Sequence, residues 1–180
     1  GSGTDDVASE NESTGSGGLS GAWDEHHTGS MELKYADQFS VDYYEDGISV
    51  VSIEDGLRYL ITEDDAGYPE WVPEEDAESM TVICTPVQKV YNAASSAMDL
   101  IDAAGGIDSV TMTSTQASDW GIDKIRKLVE DGTIQYIGKY RAPDYEAMLE
   151  GDVDLAIEST MSYHSPQIKE AIEELGIPVL

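Results

Sequence analysis

Residues 152–164 read Asp-Val-Asp-Leu-Ala-Ile-Glu-Ser-Thr-Met-Ser-Tyr-His, and this stretch decides how the rest of the chain is read. Residues 153–157 form a short, largely apolar run with Gly151 just before it, the pattern of a strand buried on both faces of a parallel sheet. The chemistry then changes abruptly. Glu158, Ser159, Thr160, Tyr163 and His164 crowd polar groups into one loop before Ser165-Pro166 opens a helix. Ligands of open parallel α/β sheets sit outside the carboxyl ends of the strands, so this loop is a candidate binding loop.

Towards the amino terminus, strand and helix patterns alternate. Residues 80–84 predict a short apolar strand and Pro86 a first helical turn. Val87, Val90, Tyr91, Ala94, Met98 and Ile101 then recur at the spacing of a long helix that Gly105-Gly106 closes. Residues 110–113 predict a second strand. A helix carrying Ile122, Ile125, Leu128 and Val129 follows, capped by Ser118 or Asp119 and stopped by Gly132. Residues 134–138 predict a third strand, 145–149 a short helix, and 177–180 the start of a fifth strand after the helix at Ser165. The expected fold is α/β: a parallel five-stranded sheet with helices on both faces.

A different pattern precedes it. Residues 39–44, 48–53 and 57–62 are rich in β-branched and aromatic side chains and are separated by Glu-Asp-Gly turns, which predicts a three-stranded antiparallel β-meander. The expected division is an acidic tether over 1–30, the meander with an acidic loop over 31–79, and an α/β ligand-binding lobe over 80–180. The tether's Ser, Gly, Asp and Glu content is too polar to bury a core. His26-His27 within it reads as an incidental pair rather than a metal site.

The chain holds 37 acidic and 9 basic residues, for a net charge of −28. Such a surface repels phosphate backbones, which argues against a nucleic-acid partner. The single Cys84 leaves no internal disulfide.

Four loops are expected at the carboxyl edge of the sheet: residues 85–88, 114–120, 139–142 and 158–164. They offer the hydroxyl of Thr85, the amide of Gln88, the indole of Trp120, the cations Lys139 and Arg141, and the polar set from Glu158. This mixture suits recognition of a sizeable ligand better than one defined reaction, so the reading is a binding protein and not an enzyme. Cys84 and His164 offer the elements of a thiolate pair, but no nucleophile signature surrounds Cys84, and packing as a small hydrophobe is the plainer role. Residues 132–139 lack the spacing of a phosphate loop, and no Gly-x-Gly-x-x-Gly follows a strand. Glu158, Tyr163 and His164 are better read as ordinary hydrogen-bonding groups than as metal ligands. No cofactor or metal is implied. The alternative left open is a flavodoxin-like module that binds a small cofactor at the same edge.

The tether, the meander, the segment Pro86-Val-Gln-Lys-Val-Tyr91 and the passage Ala-Pro-Asp-Tyr-Glu-Ala-Met-Leu-Glu-Gly-Asp-Val-Asp-Leu-Ala-Ile-Glu-Ser-Thr over 142–160 carry a resemblance. Over roughly residues 33–180 the chain resembles the substrate-binding proteins of ABC-type importers for iron-siderophore, haem and cobalamin ligands. The resemblance implies two α/β lobes joined by a rigid helix, with the ligand held between them and handed to a membrane permease driven by an ATPase. It implies that this chain is the amino-terminal lobe, its partner lobe lying beyond residue 180. It also implies placement on the extracellular face of the cell membrane through a lipid on a Cys upstream of this chain. Its ligand-facing loops correspond here to Thr85, Gln88, Trp120, Lys139, Arg141, Glu158, Ser159, Thr160 and Tyr163. Glu158 is a further candidate for docking to permease arginines.

Overall fold

A computed structural model describes residues 19–35, 37–63 and 67–180 of the chain. In chain order the elements are α1 (Gly21–His26), β1 (His27–Ser30), β2 (Phe39–Tyr44), β3 (Ser49–Ile53), β4 (Arg58–Thr62), α2 (Glu74–Glu78) and β5 (Thr81–Cys84). They continue with β6 (Val90–Asn92), α3 (Met98–Ala103), β7 (Val110–Thr113), α4 (Asp123–Glu130), β8 (Gln135–Tyr136), α5 (Tyr145–Glu150), β9 (Leu155–Ile157) and α6 (Pro166–Glu174).

The expectation of a single parallel five-stranded sheet preceded by a separate meander is wrong. Two sheets are present. Sheet A runs β1-β2-β3-β4-β5, antiparallel from β1 to β4 and closed by the parallel pair β4–β5. Sheet B is an all-parallel layer of four strands, ordered β8-β7-β6-β9.

The error has a physical origin in β5. An apolar strand flanked by helix signals reads as the first member of a parallel sheet, yet sheet A is covered on both of its faces and accepts such a strand equally well. Side chains alternate between two cores along it. Val50, Leu60 and Val82 join Trp23, Ile48, Val72, Ala77 and Met80 on one face, where α1 and α2 lie. Val51, Ile53, Tyr59, Ile61 and Ile83 face the other way, into a core shared with sheet B.

The long helix expected over 87–101 is likewise absent. The Thr85–Pro86 peptide is cis, Val90, Tyr91 and Asn92 form β6, and helix begins only with a 3-10 turn at Ser95–Ala97 that leads into α3 before the turn at Gly105. Val90 and Tyr91 fit a helical stripe by spacing, but a β-branched residue beside an aromatic one fits a buried strand better. All three β6 residues are buried.

Sheet B is wound on both faces. Val90, Val110, Leu155 and Ile157 pack with Met98, Ile101, Ile125 and Leu128 of α3 and α4. Tyr91, Met112 and Ala156 point oppositely and meet Met148 of α5 and Ile168 and Ile172 of α6. Helix α5 is capped by Asp144, whose side chain accepts from the Ala147 N–H at 3.1 Å. Pro166 supplies the first turn of α6. In place of the expected fifth parallel strand, a single parallel bridge joins Ala156 to Val179.

The stretch expected to be tether is described from residue 19; residues 1–18 lie outside the described residues. Over 21–30 it forms α1 and β1, and Trp23 is fully buried.

Candidate functional site

The chain winds outward from β6 through β7 to β8, then returns to place β9 on the other side of β6. The strand order therefore reverses between β6 and β9. At such a reversal the loops leaving the two carboxyl ends diverge to opposite faces and leave a crevice. Here the Ala93 N–H donates to the Ile157 carbonyl at 2.8 Å, and the Glu158 N–H to the Leu180 carbonyl at 2.9 Å, after which the loops part.

A cavity of about 310 Å³ opens beside the carboxyl end of β9, walled by Leu57 and Tyr59 of sheet A and by Ile157, Glu158, Ser159 and Thr160 at and after the end of β9. Lys169 of α6, Val179, Leu180, Ile53 and the carboxylate of Asp55 also line it. Sheet A thus contributes a wall at the β3–β4 turn. That turn is held by the Ile53 N–H donating to the Leu57 carbonyl at 2.8 Å and the Leu57 N–H to the Asp55 carboxylate at 3.1 Å.

Glu158 lines this site together with two other charged side chains, Asp55 and Lys169. Burial pushes its carboxyl up from an ordinary 4.5 to about 7. Its Oε1 is shielded from solvent and meets no hydrogen-bond partner among the described residues, and the same holds for the hydroxyl of Tyr91. Burial, reinforced by the Glu158 charge, pushes the Tyr91 hydroxyl up as well. Ser114 stands beside Tyr91, but its hydroxyl donates to the Ala93 carbonyl at 3.4 Å. Tyr145 is raised by burial and then by Glu158.

The Glu158 shift makes stability depend on pH. The folded chain holds a proton between pH 4.5 and about 7 that the unfolded chain has released, so this contribution is full below 4.5 and lost as pH rises through about 7. Glu158→Gln removes the titration. Its melting temperature relative to the parent should rise progressively between about pH 5 and about pH 8 in calorimetry; a constant offset would show that Glu158 titrates normally.

The residues expected to line one site are divided by the structure. Glu158, Ser159 and Thr160 line the cavity. Tyr163 lies in the 3-10 turn Thr160–His164 that follows, and its side chain is outside the described residues. Lys139 and Arg141 are exposed at the same edge but follow β8, three strand positions from β9 and about 14 Å away. The Arg141 Nε donates to the Tyr140 hydroxyl at 2.8 Å.

Trp120 is buried, donating its indole N–H to the Thr115 carbonyl at 3.2 Å and packing with Ile125 and Ile134, so its role is structural closure of the 115–120 loop. Thr85 and Gln88 were expected at the carboxyl edge and are not there. Thr85 extends β5 in sheet A, its N–H donating to the Thr62 carbonyl at 2.8 Å. Gln88 precedes β6 at the amino edge of sheet B, with its N–H on the Asp154 carboxylate at 2.9 Å. The displaced loop follows from β5 belonging to the other sheet.

Cys84 is exposed on β5, not buried, and no hydrogen bond or ion pair joins it to His164 among the described residues. His26 stacks on Trp71 with centroids 4.2 Å apart and pairs with Glu45 at 2.7 Å, while His27 faces Ser30 and Asp42. Both rings are engaged by neighbouring side chains. Among the described residues no three His, Cys, Asp or Glu side chains gather to hold a metal ion. Nor is any described helix long and apolar enough to cross a membrane.

Sequence reasoning missed Tyr91, Tyr145, Lys169 and the sheet A wall. Tyr91 carried a usable signal, since Lys-Val-Tyr-Asn at 89–92 reads as a strand once the helix is given up; the wall residues carried none. No protein-family model matches the chain, and no curated protein matches it in sequence.

Proposed function

We propose that this chain is a ligand-binding lobe of an importer's solute-binding protein, taking an iron-siderophore, haem or corrinoid-like ligand at the carboxyl edge of sheet B. The observation that carries the reading is the cavity beside the carboxyl end of β9, with mostly apolar walls and a few polar groups around Glu158. That combination is the usual chemistry of a small-molecule site in an α/β protein. A recess of about 310 Å³ is smaller than a metal chelate or corrin, so it receives one side of the ligand. The resemblance of residues 33–180 to solute-binding proteins supplies the rest: a facing lobe for the other side, handover to a permease and its ATPase, and a lipid anchor at the extracellular face of the membrane.

Isothermal titration calorimetry with a ferric trihydroxamate, a ferric catecholate, haem and cyanocobalamin tests this. The expected result is one saturable isotherm with a Kd below about 1 mM, equivalent to more than about 4 kcal/mol. Absence of saturable heat with all four overturns the reading. A protein that is yellow and fluorescent as purified would point instead to a bound flavin.

A further inference from the structure

The cavity beside β9 is lined by side chains of both charges, brought there by three separate parts of the fold. Asp55 stands on the β3–β4 turn of sheet A, Glu158 just beyond β9 and Lys169 on α6. The walls around them are mostly apolar, with Leu57, Ile157 and Val179 among them. The opposite charges do not neutralise one another. Among the described residues the Lys169 ammonium pairs with Glu173 of its own helix, at a loose 3.9 Å, and not with Glu158. Of the two Glu158 carboxylate oxygens, Oε1 is shielded from solvent and Oε2 is not. The Asp55 carboxylate is fixed on the turn by accepting from the Leu57 N–H at 3.1 Å.

A ligand that fills this recess strips water from the charges on its walls, and a charge left dry without an opposite partner is costly. That cost sorts the candidates. A simple anion meets Lys169, but also two carboxylates and the repulsion of a chain with net charge −28. A simple cation meets the carboxylates and leaves the Lys169 ammonium dry beside a like charge. A neutral apolar molecule leaves charges of both signs uncompensated. A divalent metal finds no three ligating side chains gathered among the described residues. A molecule carrying both charges compensates both kinds of wall group, and an apolar stem suits the remaining surface. The volume of about 310 Å³ lies at the low end for a ligand site, so the inserted group is small.

We propose that the cavity holds a small zwitterionic end of the ligand: an ammonium group set against Glu158 and Asp55, a carboxylate against Lys169, and an apolar stem on Leu57, Ile157 and Val179. This end belongs to the ligand of the proposed function and rests on that reading for its biological role. The preference of the cavity for zwitterions is testable alone.

The probes are 2-aminohexanoate and 6-aminohexanoate, which carry both charges on one chain at close and wide spacing, with hexylammonium and hexanoate as the single-charge analogues. Each is titrated into the full chain at about pH 8, above the Glu158 value of about 7, and followed by the backbone amide shifts of Leu57, Ser159, Thr160 and Lys169. Saturable shifts are expected with at least one aminohexanoate, and binding at least about tenfold weaker for each single-charge analogue. Two variants should move the preference in opposite directions. Lys169→Gln should weaken aminohexanoate binding at least about tenfold and strengthen hexylammonium binding, whereas Glu158→Gln should weaken it similarly and strengthen hexanoate binding. A merely structural role would shift all the affinities alike. Lys169→Gln removes only a loose, part-exposed pair, so its fold is retained and it reports on binding. No saturation with either aminohexanoate, a single-charge analogue that binds as tightly as the better of them, or unchanged selectivity in Lys169→Gln overturns the proposal. Chelate binding without zwitterion binding would remove the zwitterionic end and leave the proposed function. Zwitterion binding without any chelate binding would do the reverse.

Discussion

Trp23→Ala is expected to destabilise the protein by about 3–5 kcal/mol and lower its melting temperature by about 6–20 °C, the largest effect of a single truncation near the amino terminus. Trp23 is fully buried although it stands in a stretch of polar composition. Its ring meets Tyr44 edge-on at 5.0 Å and Trp71 at 5.5 Å. Its indole N–H donates to the Asp76 carboxylate at 2.7 Å. Burial alone would raise that carboxyl, but the hydrogen bonds from Trp23 and Ser20, with the charge of Arg58, hold it below its ordinary value. Truncation therefore opens a cavity and removes the indole donor from Asp76, which anchors α1 to α2. Thermal melts followed by circular dichroism measure the loss. A cost below about 1 kcal/mol would show that α1 is not seated on sheet A.

The second large effect is expected at Gly138. Its φ of +100° lies in the region that favours glycine, and a Cβ built there would stand 2.8 Å from the Ala142 carbonyl oxygen. Gly138→Ala should cost about 1–3 kcal/mol for the dihedral and more for the displaced backbone. Gly132 provides the control, since its φ is +81° and a Cβ there meets nothing within 4 Å. Chemical denaturation of both variants isolates the contact: Gly138→Ala should lie clearly below Gly132→Ala, and equality would mean the turn gives way freely. The strain would spread. This turn is closed by the Ala142 N–H on the Lys139 carbonyl at 2.9 Å and the Asp144 N–H on the Ile137 carbonyl at 2.8 Å, and Asp144 caps α5.

What the sequence could show depended on whether one local pattern had one structural meaning. The spacing of Ile122, Ile125, Leu128 and Val129 fits only a helix with one buried side, and α4 lies there. The alternating run at 39–44 lies at β2, between turns whose chemistry is unambiguous. Residues 80–101 were ambiguous at two points. The apolar β5 fits any sheet covered on both faces, and Val90 and Tyr91 satisfy a helical stripe and a buried strand alike. Both ambiguities resolve only through long-range pairing, of β5 with β4 and of β6 with β7 and β9. The candidate site divided the same way. Glu158, Ser159 and Thr160 were legible because an apolar run ends at Ile157. Tyr91 was hidden by the helix reading, and Thr85 and Gln88 were misplaced because β5 was assigned to the wrong sheet.

Sheet A carries a consequence for fidelity. Along β4, Tyr59, Leu60 and Ile61 are apolar towards either side, so only Arg58 and Thr62 at the strand ends oppose, by polarity, a slip of one residue. Alignment must then be enforced by the bends, above all residues 53–57, where Gly56 takes a φ of +91° and its N–H donates to the Ile53 carbonyl at 2.9 Å. Because Leu57 and Tyr59 wall the cavity, the same bend sets the cavity's shape, and an indel there would alter binding before it altered folding.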